Sequence, residues 1–230
     1  MKNMTKSMKI KKTSLSPLRQ IIRDRMNESC KIPQFCLEIE VNMKKILEVR
    51  EKLVPRPSIT TCLVWSCARA LREKPELNGY FYGDEIGHTS DINIGVAISI
   101  PEGLLVPVIR EADKKKLEEI NQELTTFNKK IKSKKLSPDD LQNGTFTLSN
   151  LGMYGITSFI PLLNPPQLAI LGVGALCEGY KVNENKIETY QYIKVTIVAD
   201  HRALDGAVAA DFLSVFKRIC EGEFHKGDWL

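Results

Sequence analysis

The chain has 230 residues, 43% of them apolar and 27% charged, with a formal net charge of +5. It is long enough to bury a substantial core, and its apolar runs, such as "QLAILGVGALC", are too short and interrupted to cross a membrane. The excess charge sits in the first twelve residues, which hold five Lys and no acid, so the body is about neutral and no nucleic-acid partner is expected.

Residues 1–13 read as a basic flexible tail: a solubilising arm, a docking arm for an acidic partner, or an expression remnant. The tail lacks the apolar centre of a signal peptide, and a cytoplasmic location is expected. No internal repeat or Pro/Gly/Ser linker divides residues 14–230, which read as a single domain. Ser16 followed by Pro17 marks a helix start over "SPLRQIIRDRMNESC". "FCLEIEVNM" alternates, with Phe35, Leu37, Ile39 and Val41 on one face, and predicts a half-exposed strand. Helices follow over "MKKILEVREKL" and the nearly apolar "SITTCLVWSCARALREKP". "DINIGVAISI", a Pro-Glu-Gly turn and "LLVPVI" predict a hairpin. From Lys114 to Leu136, the residues Leu117, Ile120, Leu124, Phe127 and Ile131 recur at steps of three and four, the pattern of a long amphipathic helix. Three more strands are expected at "GTFTLSN", "QLAILGVGAL" and "YIKVTIVA", then a last helix from Ala207 to Cys220. Strict β–α alternation is missing, so an α+β fold with helices packed on a mixed β-sheet is expected.

The six cysteines (Cys30, Cys36, Cys62, Cys67, Cys177 and Cys220) form no C-x-x-C pair and have no His at ligand spacing. They read as small apolar side chains in a reducing compartment, with neither disulfides nor a metal site expected. His201 stands in "VTIVADHRALDGAVAADFL", where a strand ends and a helix begins. A general base working near neutral pH is most readily a histidine, and the flanking Asp200 and Asp205 can orient it or balance its charge. The same residues also make an ordinary strand-to-helix turn with an Asp cap and a Gly. His88, in "GHTS", and His225, in the polar C-terminal segment, have no comparable setting.

"DHRALDGAVAADFL" resembles the D-H-R-x-x-D-G signature of the acyltransferase component of 2-oxo-acid dehydrogenase complexes. "GTFTLSNLGMYGITSFIPLLNPPQLAILGVGA", "PEGLLVPVIREADKKKLEEI", "KIPQFCLEIEVNM" and "EKPELNGYF" are similar to further family motifs, in order from about Leu15 to Phe216. The resemblance implies a fold like chloramphenicol acetyltransferase and a homotrimer with its active sites at the subunit interfaces. It implies acyl transfer between a dihydrolipoyl thiol and coenzyme A, which enter a channel from opposite ends. His201 is then the base that deprotonates the attacking thiol. Ser149 of "TLSN", from the neighbouring chain, donates to the tetrahedral oxyanion, worth about 3–4 kcal/mol in a site that excludes water. Asp205 holds the loop by pairing with an arginine, for which Arg19 and Arg202 are candidates. The positions that match coenzyme A contacts are Arg50, Ser58, Ser149, Asn150 and Gly174, and no metal is implied. Without the motifs, Ser149 reads as a strand-end hydroxyl that satisfies a turn, while Arg50 reads equally as a surface-helix arginine and Ser58 as an N-cap. Met153, Tyr154 and Phe159 either line the acyl pocket or belong to the core.

The sequence departs from the family pattern in two places. Lipoyl and peripheral-subunit-binding domains are absent, so residues 14–230 read as an acyltransferase catalytic domain alone, either excised or standing alone. The lipoyl group is then supplied in trans, by a lipoyl-domain protein or another acyl carrier, with other dehydrogenase-complex components as further partners. The C-terminal "CEGEFHKGDWL" is polar and charged where family chains often end in an apolar tail, so a trimer is expected rather than a giant core. Two competing readings are a coenzyme A-dependent acyltransferase with a non-lipoyl carrier or small-molecule acceptor, and a non-catalytic scaffold. Asp200-His201-Arg202, Asp205-Gly206 and Ser149-Asn150 argue against the scaffold.

Overall fold

The computed structural model describes residues 10–183 and 186–222. Most of the basic tail and the C-terminal residues 223–230, with His225, lie outside the described residues. Ser16 caps α1 (Pro17–Ser29), its hydroxyl accepting from the Arg19 N–H at 3.2 Å. β1 (Gln34–Asn42) keeps the expected alternation, with Cys36, Glu38 and Glu40 exposed and Val41 buried. α2 (Lys44–Glu51) follows, and then α3 (Ile59–Glu73), buried along most of its length as its composition demands.

β4 (Ile94–Ile100) pairs antiparallel with both β5 (Gly103–Leu105) and β6 (Val108–Ile109). Pro107, which has no N–H to give a ladder, separates those two short strands. α4 (Leu117–Lys132) is shorter at both ends than the periodicity predicts. At its start the Glu119 carboxylate accepts from the Lys116 N–H at 2.7 Å, and beyond its end Lys134 takes a φ of 54°. The remaining expected elements are β7 (Phe146–Asn150), β8 (Ala169–Val173) and α5 (Gly206–Glu221). Two features exceed the expectation. One is a short hairpin, β2 (Gly79–Phe81) with β3 (Ile86–His88); the other is a ribbon in which β9 (Cys177–Asn183) pairs with a lengthened β10 (Lys186–Asp200).

The main sheet runs β1-β10-β8-β7-β4-β5, with β9 on β10 and β6 on β4. β7 is parallel to both β4 and β8, and the other pairings in this sheet are antiparallel. This is the expected α+β arrangement of helices on a mixed sheet. Side chains alternate faces along each strand. Phe146, Leu148, Leu171 and Ile197 therefore join the large core beneath α3 and α5. Thr147, Ser149, Ile170 and Val198 point to the other face, where α1 lies.

In the core, Phe212 bridges Phe146 and Phe216, with ring centres 5.7 and 6.3 Å away. Truncating it leaves a cavity between α5 and the sheet. Phe212→Ala is expected to cost about 3–5 kcal/mol and to lower the melting temperature by roughly 10 °C, read by thermal unfolding.

The connection from α4 to β7 is pinned by Asp140. Its carboxylate accepts from Lys130 Nζ at 2.8 Å and from the Ser137 N–H at 2.8 Å. Lys130 first, then Ser137, hold its pKa down from an ordinary 3.8 to about 2. A depressed folded-state pKa means the stabilisation is complete above the unfolded value and fades as pH falls through the folded one. Asp140→Asn should therefore melt earlier than the parent at pH 6, with the gap closing between about pH 4 and pH 2.

Candidate active site

β10 carries Asp200 into the end of the sheet, where it is 1% exposed, and the chain then turns outward to leave His201 and Arg202 at the surface. A buried carboxylate requires a partner. Arg202 supplies it as a fork, Nε to Oδ1 at 2.9 Å and Nη2 to Oδ2 at 2.6 Å. That hydrogen bonding raises the guanidinium pKa above its ordinary value. The Asp200 N–H donates to the Leu168 carbonyl at 3.0 Å, and the His201 N–H to the Pro33 carbonyl at 2.9 Å. The Arg202 N–H returns to Asp200 Oδ1 at 3.0 Å. The imidazole of His201 packs against Phe35, with 4.6 Å between ring centres. Three consecutive backbone donors are thus satisfied around one exposed imidazole.

Asp205 stands at the N-cap of α5, but its exposed side chain forms no capping hydrogen bond and no ion pair among the described residues. Of the two candidate arginines, Arg202 is committed to Asp200, whose burial makes the stronger demand. Arg19 sits on α1 beside Gly103, and no bond joins it to Asp205.

Ser149, near the end of β7, lies between two cavities. One, of about 280 Å³, has a mixed wall, in which Ser58, Thr60, Asn128 and Asn150 stand among apolar residues such as Ile98 and Leu124. The other, of about 430 Å³, is apolar and is closed by α1, Phe159, Pro161 and Ile170. Ser58 also borders a third cavity, of about 680 Å³, that gathers Arg50, Arg56 and Lys129. Ser58 is the N-cap of α3, accepting from the Thr61 N–H at 3.0 Å, and Arg50 donates to the Pro57 carbonyl at 2.5 Å. Both residues are therefore structural and also line cavities. Asn150 donates to Thr60 Oγ1 at 3.0 Å and accepts from the Gly152 N–H at 2.8 Å, which fixes the turn after β7. Gly174 is explained by packing, because a Cβ there would lie 1.9 Å from the Thr157 carbonyl oxygen. Met153 and Tyr154, 69% and 62% exposed, line the mixed cavity, and Phe159 lines the apolar one. None of the three is in the core cluster.

The strand register sets the distance between Ser149 and His201. Ser149 pairs with Gly172, and Gly172 with Thr196, which leaves His201 five residues farther along β10's path. At ~3.3 Å per residue and ~4.8 Å per strand, their Cα atoms are roughly 19 Å apart. They cannot act on one atom within a single chain. His88 belongs to the small hairpin, paired with Gly79.

Several contributors have no recognisable pattern in the sequence. Phe35 reads only as part of a strand face, and Thr60 only as a first-turn helix residue. Phe81, whose ring carries the Arg202 guanidinium at 4.0 Å, stands in a strand of three residues. Burial pushes the Cys62 and Cys220 thiols up to about 12, so neither is a nucleophile near neutral pH. Among the described residues no cluster of His, Cys, Asp or Glu is arranged to hold a metal ion.

Replacing Asp200 with Ala strips Arg202 of its partner and frees the His201 turn. Because Arg202 retains partial access to water, a loss of about 2 kcal/mol is expected in chemical denaturation, below the range for fully buried pairs. A loss under about 0.5 kcal/mol would rule out the clamp as a determinant of stability.

Comparison with known proteins gives a consistent result. The family model for the 2-oxoacid dehydrogenases acyltransferase (catalytic domain) matches residues 7–225. The dihydrolipoyllysine-residue acetyltransferase component of the pyruvate dehydrogenase complex of Rickettsia prowazekii is 40% identical over 213 residues, 89% of this chain and 52% of that protein. The chain thus spans about half the length of the curated relatives it matches. Azotobacter vinelandii dihydrolipoamide acetyltransferase, solved in an investigation of a serine, a histidine and an asparagine in its catalytic mechanism, superposes with a TM-score of 0.88 at 27% identity, covering 93% of this chain and 92% of that one. The cubic core of a pyruvate dehydrogenase multienzyme complex superposes with a TM-score of 0.89 at 27% identity, over 96% and 95% of the two chains. A chloramphenicol acetyltransferase, at 15% identity, 86% and 92% coverage and a TM-score of 0.54, shares the fold. The chain belongs to the 2-oxoacid dehydrogenase acyltransferase catalytic-domain family.

Proposed function

We propose that this domain transfers an acyl group between a dihydrolipoyl thiol and coenzyme A, at sites shared between the subunits of a homotrimer. The observation that carries this reading is the separation of His201 from Ser149 within one chain, while each sits in a setting suited to half of an acyl-transfer site. The serine, histidine and asparagine studied in the Azotobacter relative have the same sequence spacings as Ser149, His201 and Asp205, with aspartate here in the third place. We assign the cytoplasm as its location, in keeping with six free cysteines.

The residues suit a phosphorylated thiol substrate. Arg50, Arg56 and Lys129 collect positive charge beside the N-terminus of α3, and the neighbouring cavity, which Ser58 also borders, has Ser149 in its wall. Coenzyme A would enter from that side, and the dihydrolipoyl arm, carried by a separate lipoyl-domain protein or another acyl carrier, from the apolar side. In the reaction, the imidazole of His201 takes the proton from the incoming thiol. The resulting sulfur attacks the thioester carbonyl carbon, and the carbonyl electron pair moves onto oxygen. The Ser149 hydroxyl donates to that oxyanion. Collapse expels the second sulfur, which recovers the proton from the imidazolium. Charge and electrons balance without a metal or an oxidant, and the path runs equally in reverse. Asp205 would act at the turn that carries His201.

His201→Ala should lower turnover by at least about a thousandfold and Ser149→Ala by roughly a hundred- to a thousandfold, with the oligomer intact by light scattering. Mixing the two inactive proteins under conditions of subunit exchange should restore about a quarter of wild-type activity, because some interfaces then unite an intact histidine with an intact serine. Mixed oligomers that stay inactive would refute the shared site. Assays with dihydrolipoamide and alternative acceptors identify the physiological thiol.

A further inference from the structure

We propose that Phe81, on the β2–β3 hairpin, is a positioning residue for His201 and acts through the guanidinium of Arg202; this rests on the acyl-transfer reading of the His201 site. The argument begins with exposure. Asp200 is buried, but the Arg202 side chain that neutralises it keeps 39% of its surface in water. The Asp200 fork holds the guanidinium along one edge only, so a half-exposed arginine can still tilt away from it toward solvent. The ring of Phe81 opposes that tilt, because the guanidinium carbon lies over it, 4.0 Å from the ring centre. An aromatic face attracts a cation more strongly where water is excluded.

The hairpin that carries Phe81 is fixed to the same backbone strip that holds Asp200. The Phe81 N–H donates to the Pro166 carbonyl at 2.8 Å, and Tyr80 forms an isolated bridge with Gln167. Leu168 donates to the Gly79 carbonyl at 3.2 Å and accepts from the Asp200 N–H at 3.0 Å. Residues 166–168 therefore set Phe81 and Asp200 at a common spacing, with Arg202 held between ring and carboxylate. His201 is the residue between Asp200 and Arg202, so the ring, the guanidinium and the carboxylate together fix its position. Phe81 is only half buried, and its aromatic face rather than its bulk makes this contact.

The test compares Phe81→Leu, Phe81→Trp, Arg202→Lys and the Phe81→Leu/Arg202→Lys double variant in the acyl-transfer assay, with thermal unfolding of each. Phe81→Leu should lower kcat about tenfold and leave KM for acyl-CoA within about twofold, whereas Phe81→Trp, which keeps an aromatic face, should retain at least about half of the activity. If Phe81 works through Arg202, the double variant should be no slower than Arg202→Lys alone. Wild-type kcat in Phe81→Leu, equal losses in the Leu and Trp variants, or multiplying losses in the double variant would each overturn the proposal. Phe81→Met replaces the Leu variant if that one does not fold. An inactive wild-type trimer would overturn the acyl-transfer reading itself, which is distinct from an active wild type with an unaffected Phe81→Leu.

Discussion

Asp200 takes a negative charge into the end of the sheet, where water does not reach it, and the turn that follows has to bring a cation back at once. Arg202 does this two residues later with a bidentate fork. A two-residue reach leaves little choice of path: the backbone must leave the sheet and fold over its own carboxylate. His201, caught between the two charges, is pushed outward with its N–H tied to Pro33. The exposure of the imidazole thus follows from the need to neutralise a neighbour. Beyond the turn, Asp205 opens α5, whose apolar face returns to the core through Phe212 and Phe216.

The mixed sheet divides labour by face. Residues of β7 that point one way, Phe146 and Leu148, are walls of the main core, and those that point the other way, Thr147 and Ser149, are walls of cavities. Thr147 donates to Gln167 at 2.6 Å and accepts from Asn164 at 3.2 Å, so its hydroxyl is satisfied within a mostly apolar face. Asn150 faces back toward α3 and fixes the turn that follows. One five-residue strand therefore anchors the fold and furnishes a hydroxyl at a cavity junction.

Much of this was legible in the residues. The alternation of β1, the apolar α3 and the periodic α4 and α5 are strong signals because each repeats over several turns or pleats, and the cap at Ser16 is legible from the Ser-Pro pair at a helix start. The β2–β3 hairpin is illegible for the opposite reason, since three residues cannot display a period. The family follows from ordered motifs, and the match over residues 7–225 agrees with it. Partnerships between side chains were harder. The pairing of Arg202 with Asp200 instead of Asp205 depends on which carboxylate is buried, and burial is a property of the folded chain. Gly174 matches a motif position, yet its reason is a carbonyl from residue 157 that sequence spacing does not reveal.

The placement of β7 has a further consequence. It is flanked on both sides by parallel neighbours, away from either edge of the sheet. Inner strands of this kind resist local opening, so the Ser149 hydroxyl is carried by a firmly paired part of the sheet. The cavity walls around it are made differently: Met153 and Tyr154 stand in a single 3-10 turn, and Phe159 and Leu162 on irregular chain, between β7 and β8. Substitutions accumulating there can reshape the cavities while the hydroxyl stays where it is. Variation in what the cavities admit is thereby separated from the backbone that positions the donor, and drift in one need not disturb the other.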